Sequence, residues 1–218
     1  MNIQNQLEYY ATPAAFTRYL LREMASRGRP IVGSLFEPCV GDGALVAVER
    51  EWDRERGARF EGAGWTTNDL DPGWAATSHR DATERDAWWQ CDWTISNPPF
   101  TPAIEIIEHA LDYSRVGVAM HLRASIHEVL KTGKRRTWMR EHRPTGCLWL
   151  PRFAYQRSPT TDKWTTDSVC ACWLIWLKDQ RVPQFFDYAP EWVLDELDAE
   201  TPAYRARMDG IMAARRVA

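Results

Sequence analysis

With 218 residues, 44% hydrophobic and 26% charged, the chain suits one domain that buries a real core, which excludes a disordered tail. Its longest apolar runs, such as 170–177, are far too short for a bilayer, and residues 1–6 show no basic patch leading into an apolar stretch, so no signal peptide is read. Five unevenly spaced cysteines give no disulfide framework, so a reducing cytoplasm is the expected setting.

Thr12 and Pro13 begin the first predicted helix, since threonine caps well and proline suits the first helical position. That helix carries Phe16, Leu20, Leu21 and Met24 on one face and stops near Gly28. Residues 31–36 read as a short apolar strand, followed by a glycine-bearing turn and a helix over 44–56. Strands are expected at 65–69, 93–96 and 116–122, with a helix at 102–113 between the last two. The stretch 124–143 reads as helical and basic, 147–150 as a strand, and 169–177 as a long strand. Strand and helix alternate, which predicts an α/β sheet with helices on both faces. Residues 1–180 make the expected catalytic-type domain, and 181–218 an acidic, helical extension within the same domain or at an oligomer contact.

A net charge of −3 hides an asymmetry. Residues 115–163 hold 11 Lys and Arg against three acids, whereas 183–204 hold six acids and no Lys or Arg. Such a chain can present one basic face to a polyanion, or simply two solvated faces.

Three segments carry chemistry. In 36–43, Phe-Glu-Pro-Cys-Val-Gly-Asp-Gly, a strand turns into a helix, and glycines there let a ligand approach backbone N–H groups. Asp42 in that turn reads equally as a helix cap. About thirty residues on, Asp69 stands at the tip of the next strand, where doubly wound sheets accept ribose hydroxyls; the neighbouring Asp71 and Pro72 also suit a helix start. Together the two segments point to an adenosine-containing cofactor. The third is Asn97-Pro98-Pro99-Phe100. Adjacent prolines at a strand end remove two backbone donors and make a stiff turn with fixed carbonyls. The Asn97 side-chain oxygen and the Pro98 carbonyl can hold both N–H bonds of a planar amine, and Phe100 offers a face on which a base stacks. The five histidines show no metal-ligand spacing, so no metal is expected, and Cys170 and Cys172 alternate along an apolar strand as core residues do.

These segments resemble the amino-methylating S-adenosylmethionine-dependent methyltransferases, specifically the N6-adenine DNA methyltransferases, over roughly residues 8–178. Residues 9–13, Tyr-Tyr-Ala-Thr-Pro, resemble the family's segment at the methionine carboxylate, and 36–43 its methionine-binding loop. Asp69 matches the ribose-binding acid, Asp81 and Ala82 the adenine contact, and Asn97, Pro98, Pro99 and Phe100 the catalytic tetrapeptide. Residues 122–125, 150–153 and 168–177 resemble weaker motifs around the target pocket.

The resemblance implies a Rossmann-like class I methyltransferase fold, with a seven-stranded, mostly parallel sheet and an antiparallel last hairpin. It implies S-adenosylmethionine as cofactor, held by Tyr10, Thr12, Pro13, Glu37, Pro38, Cys39, Gly41, Gly43, Asp69, Asp81, Ala82 and Asn97. It further implies methyl transfer to adenine N6 in DNA on a flipped-out base, and a bacterial or phage setting. The nucleic acid is expected at Arg123, Lys131, Lys134, Arg135, Arg136, Arg140 and Arg152. RNA adenine and protein glutamine remain alternative substrates, because glutamine also presents a planar NH2 and no room is left for a large target-recognition domain. A homodimer is compatible with the pattern, and a nucleotide-responsive binding protein on the same fold is the non-enzymatic alternative.

Overall fold

The computed structural model describes residues 9–55, 64–127, 134–156, 161–165, 170–179 and 181–217, the side chains of 127, 134–136, 216 and 217 excepted. In chain order the helices are α1 (Ala14–Ser26), α2 (Ala44–Glu55), α3 (Ala103–Tyr113), α4 (Lys134–Glu141) and α5 (Glu191–Val217). The strands are β1 (Leu35–Glu37), β2 (Trp65–Thr67), β3 (Cys91–Ser96), β4 (Ser114–Arg123), β5 (Gly146–Trp149), β6 (Ala171–Leu177) and β7 (Phe185–Tyr188). No helix among the described residues is long and apolar enough to cross a membrane.

The seven strands form one sheet in the order β2-β1-β3-β4-β6-β5-β7. All neighbours are parallel except those of β6, which runs antiparallel to β4 and to β5. The expected seven-stranded, mostly parallel sheet is therefore present, with one difference. The antiparallel β5–β6 hairpin is not the last element, because β7 adds itself parallel to β5 at the far edge.

Strand alternation builds two cores. Ala119 of β4 with Trp173 and Ile175 of β6 faces α1, α2 and α5. Val118, Met120 and Leu122 of β4, with Leu174 and Trp176 of β6, face α3 and Trp138 of α4. Helix α1 buries Phe16, Leu20, Leu21 and Met24 as expected. It ends where Gly28 adopts φ +68°, with Gly28 N–H donating to Ala25 and Arg29 N–H to Met24, a left-handed helix stop that glycine makes without strain.

Thr12 does not cap α1, which has no side-chain cap from its own N-terminal flank. The Glu200 carboxylate on α5 accepts the Ala15 N–H instead, at 3.2 Å. Residues 185–217 thus add β7 to the sheet and α5 to the core, with Val193, Leu197, Tyr204 and Met208 of α5 buried beside α1. Three of their acids, Asp187, Glu196 and Glu200, also pair with α1 or the residue just after it. Arg18 donates to Glu196 at 2.6 Å and to Glu200 at 3.4 Å, and Arg27 pairs with Asp187.

Candidate active site

The loops that follow β1, β2 and β3 leave the sheet at the same edge, where ligands settle in open parallel sheets. With residues 9–12 and 81–83 they enclose a cavity of about 430 Å³. The loop after β1 needs its glycines. Gly41 and Gly43 have φ of +52° and +78°, and a Cβ on Gly41 would lie 2.7 Å from the Tyr9 ring. Asp42 accepts the Ala44 N–H at 3.2 Å and so does cap α2.

Asp69 ties two of the loops together. One carboxylate oxygen accepts Gly41 N–H at 2.8 Å and the other accepts Asp71 N–H at 2.9 Å. Burial raises its carboxyl above the ordinary range, opposed by those two N–H groups. Beneath it, Asn68 is fully buried and saturated. Its NH2 donates to the carbonyls of Pro38 and Arg80, and its oxygen accepts Ser78 Oγ and Arg80 N–H. One side chain thereby ties the loop after β1 to both ends of the loop after β2.

Glu37 lies at the cavity floor with its carboxyl raised well above the usual range by burial, then by Asp69 and Asp42. Its Oε2 has no hydrogen-bond partner among the described residues. Burial also pushes the Cys39 thiol well up, so this cysteine is no thiolate nucleophile. Asp81 also lines the cavity, with one oxygen accepting Thr83 N–H and Oγ.

The Asn97 amide is oriented without ambiguity. Its nitrogen lies 2.6 Å from the Tyr10 carbonyl and 3.1 Å from Thr12 Oγ1, and a carbonyl oxygen can only face a donor. No hydrogen bond among the described residues ends on Asn97 Oδ1. The Tyr10 and Phe100 rings lie 5.8 Å apart, and Arg123 stands 4.7 Å from the Phe100 centroid and 3.3 Å from the Tyr10 hydroxyl. A second cavity of about 850 Å³ opens on the other side of Phe100 and Thr101, and Glu105, Glu108, Glu141 and Arg123 are among its lining.

All four tetrapeptide residues line the 430 Å³ cavity, as do Tyr10, Thr12, Glu37, Pro38, Cys39, Gly41, Asp69, Asp81 and Ala82; Pro13 and Gly43 do not. Arg123 stands at the junction of the two cavities. Arg140 and Arg152 are exposed on α4 and on the segment after β5. Lys131 and the side chains of Lys134, Arg135 and Arg136 lie outside the described residues. His121, buried near Tyr155, is held neutral, its pKa pushed down to about 3 by burial. Among the described residues no group of three or more His, Cys, Asp or Glu is placed to hold a metal ion.

Three residues of this site went unread in the sequence, Asn68, Trp74 and Arg215, while Tyr9 was read only as part of the segment 9–13. Asn68 and Trp74 flank the acids of the second segment, a position that could have drawn notice. Arg215 carried no signal, because only the folded chain brings α5 to the cavity.

No family model matches the chain, and no curated protein matches it in sequence. Solved structures do match in fold. A Listeria monocytogenes chain assigned as a class I S-adenosylmethionine-dependent methyltransferase superposes with a TM-score of 0.61 at 13% identity, covering 94% of this chain and 73% of that one. A modification subunit assigned to a type I restriction enzyme of Vibrio vulnificus YJ016 gives 0.56 at 13% identity over 84% of this chain and 48% of that one. A Pyrococcus horikoshii chain assigned as an RNA methyltransferase gives 0.56 at 16% identity, covering 81% and 90%. The chain spans about half the length of the restriction-enzyme subunit. At these identities the likeness defines the fold, which is the Rossmann-like class I methyltransferase fold.

Proposed function

We propose that this chain binds S-adenosylmethionine and transfers its methyl group to a planar NH2, with adenine N6 in DNA as the substrate. The orientation of Asn97 carries the reading. Its nitrogen is spent on Tyr10 and Thr12, so its oxygen remains to accept one amine N–H, and the Pro98 carbonyl beside it is suited to accept the other. Aimed this way, a weakly nucleophilic exocyclic amine keeps its lone pair directed at an electrophile.

Once bound, the cofactor supplies that electrophile as a methyl on a cationic sulfonium. The N–C bond would form as the S–C bond breaks, and the surplus amine proton would pass to solvent. Asp69 accepts from ribose hydroxyls with the lone pairs its backbone contacts leave over, and Glu37, buried and half unsatisfied, suits the methionine ammonium. Phe100 and Tyr10 flank the base, which must leave the duplex to reach them. Cofactor and substrate together would displace water from the cavity, which favours discharge of the sulfonium charge.

A specific observation favours a second reading. Three carboxylates, Glu105, Glu108 and Glu141, line the neighbouring cavity beside a single described arginine, and carboxylates repel phosphate. A glutamine amide in a basic peptide satisfies the same pair of acceptors.

The test is incubation with labelled S-adenosylmethionine and, separately, duplex DNA, RNA and glutamine-bearing basic peptides, followed by mass spectrometry of the digests. N6-methyldeoxyadenosine is the expected product. Label confined to glutamine establishes the second reading, and label in none of the three refutes amine methylation.

A further inference from the structure

We infer that Arg215 belongs to the cofactor site, as a clamp across the mouth of the 430 Å³ cavity that governs how long the cofactor stays. The inference rests on the cofactor reading above and turns on Arg215 and Trp74, which lie outside every motif that supports it. Arg215 stands near the end of α5, yet its guanidinium hydrogen-bonds and ion-pairs with Asp71 in the loop after β2. The same guanidinium lies 4.8 Å from the Trp74 ring centroid and 5.9 Å from that of Tyr9. The two rings lie 4.9 Å from each other, tilted by 32°. Tyr9, Asp71, Trp74 and Arg215 all line the cavity, so three remote stretches of chain close over it.

Each part is anchored on its own side. Asp71 also accepts Gly73 N–H at 2.9 Å, which fixes its carboxylate to the turn carrying Trp74. Tyr9 packs against the Gly41 backbone, where a side chain would collide with it. On α5, Arg207 reaches Asp42 at 3.3 Å, and the Tyr204 hydroxyl lies 2.9 Å from the Ala11 carbonyl and 3.0 Å from that of Tyr155. The helix therefore grips both rims of the cavity, the glycine loop through Arg207 and the ribose loop through Arg215.

The strength of this closure is moderate. The Arg215 and Asp71 side chains keep 27% and 30% of their exposure, so solvent weakens the ion pair, while the stack on Trp74 adds a cation–π contact. A contact of that strength can open in each cycle to exchange product for fresh cofactor. Arg215 is accordingly a positioning residue that touches the cofactor's doorway rather than the reacting atoms.

Stopped-flow tryptophan fluorescence on the full chain, with S-adenosylhomocysteine as the probe, tests this. Arg215→Ala is expected to speed probe dissociation by about three- to tenfold, with the melting temperature recorded alongside. Trp74→Ala, which removes the other half of the contact without touching α5, is expected to do the same, followed by a fluorescent analogue. Arg215→Lys, which keeps a cation for Asp71 and for the Trp74 face, should restore much of the slow release, which a merely structural role for the arginine would not require. Dissociation from both single variants at the wild-type rate overturns the clamp and leaves the cofactor reading standing. A wild-type chain that binds no S-adenosylhomocysteine overturns the cofactor reading, and the clamp with it.

Discussion

The side-chain nitrogen of Asn97 lies 2.6 Å from the main-chain oxygen of Tyr10, a residue 87 positions earlier. A residue of the proposed chemistry is thus aimed by the N-terminal segment and not by its own loop. Asn97→Ala should lower turnover by about 10²–10³-fold, the scale seen when a transition-state hydrogen-bonding group is removed, while cofactor affinity stays near wild type. Asn97→Asp should be as damaging, because a carboxylate facing the Tyr10 carbonyl sets two acceptors against each other. Single-turnover rates alongside calorimetric binding separate the two effects; full turnover in Asn97→Ala refutes the assigned role.

Asp69→Ala should weaken S-adenosylmethionine binding by about 1.5–3 kcal/mol, through loss of a charged acceptor. The pH dependence follows from its raised pKa, caused first by burial. The carboxylate is the form proposed to accept the ribose, so affinity should fall as pH falls, beginning at a higher pH than an exposed aspartate would allow. Titration calorimetry between pH 5 and 8 checks this, and a flat profile would place the ribose contact elsewhere.

Glu49 on α2 is buried, with its carboxylate accepting Trp65 Nε1 at 2.7 Å. Its pKa is pushed up to about 8, by burial first and then by Asp53. The folded state therefore holds a proton that the unfolded state releases near its ordinary pKa, and stability should decline as pH rises from about 5 to 8. Glu49→Gln keeps the acceptor and abolishes the titration. Its melting temperature should lose less than that of wild type over the same interval, and should exceed it at pH 8.5.

Gly117 of β4 faces Trp93 of β3, where an added Cβ would lie 2.5 Å from the indole ring. The ring is almost fully buried and has nowhere to retreat. Gly117→Ala should cost about 1–3 kcal/mol of stability, as overpacked cores do. Urea denaturation gives the figure, and an unchanged midpoint would mean that the sheet opens at this register.

If DNA is the substrate, the exposed Arg140, Arg143 and Arg152 should each neutralise a backbone phosphate. Replacing all three by Ala should reduce the log–log salt slope by about 0.9 for every phosphate left without its arginine, uniformly across sequences. A wild-type slope in the variant would put the nucleic acid on another face.

Most of the sheet and the cofactor loops were legible because their signals are local. Apolar runs mark β3, β4 and β6, and Gly41, Asp69 and Asn97 each stand within four residues of a strand's end. The misread parts depend on remote partners. Thr12 has the chemistry of a cap, but its hydroxyl is taken by Asn97, 85 positions away. Segment 183–204 reads as a solvated acidic face only until Arg18 and Arg22 of α1, and Arg27 just after it, are brought against it. Strand β7 is four residues long with alternating half-exposure, too short for periodicity to reveal. Arg215 lies 144 positions from Asp71, and no spacing rule reaches that far.

Asn68 carries a consequence for genetics. It touches neither proposed substrate nor reacting atoms, yet four hydrogen bonds through its side chain hold the Pro38, Ser78 and Arg80 segments in place. Even Asn68→Asp exchanges two donated bonds for two facing acceptors in a fully buried site. A screen scored only by absence of methylation would collect Asn68 mutants together with Asn97 mutants and call both catalytic. Sorted by whether the purified protein still retains cofactor, the two alleles would fall into opposite classes.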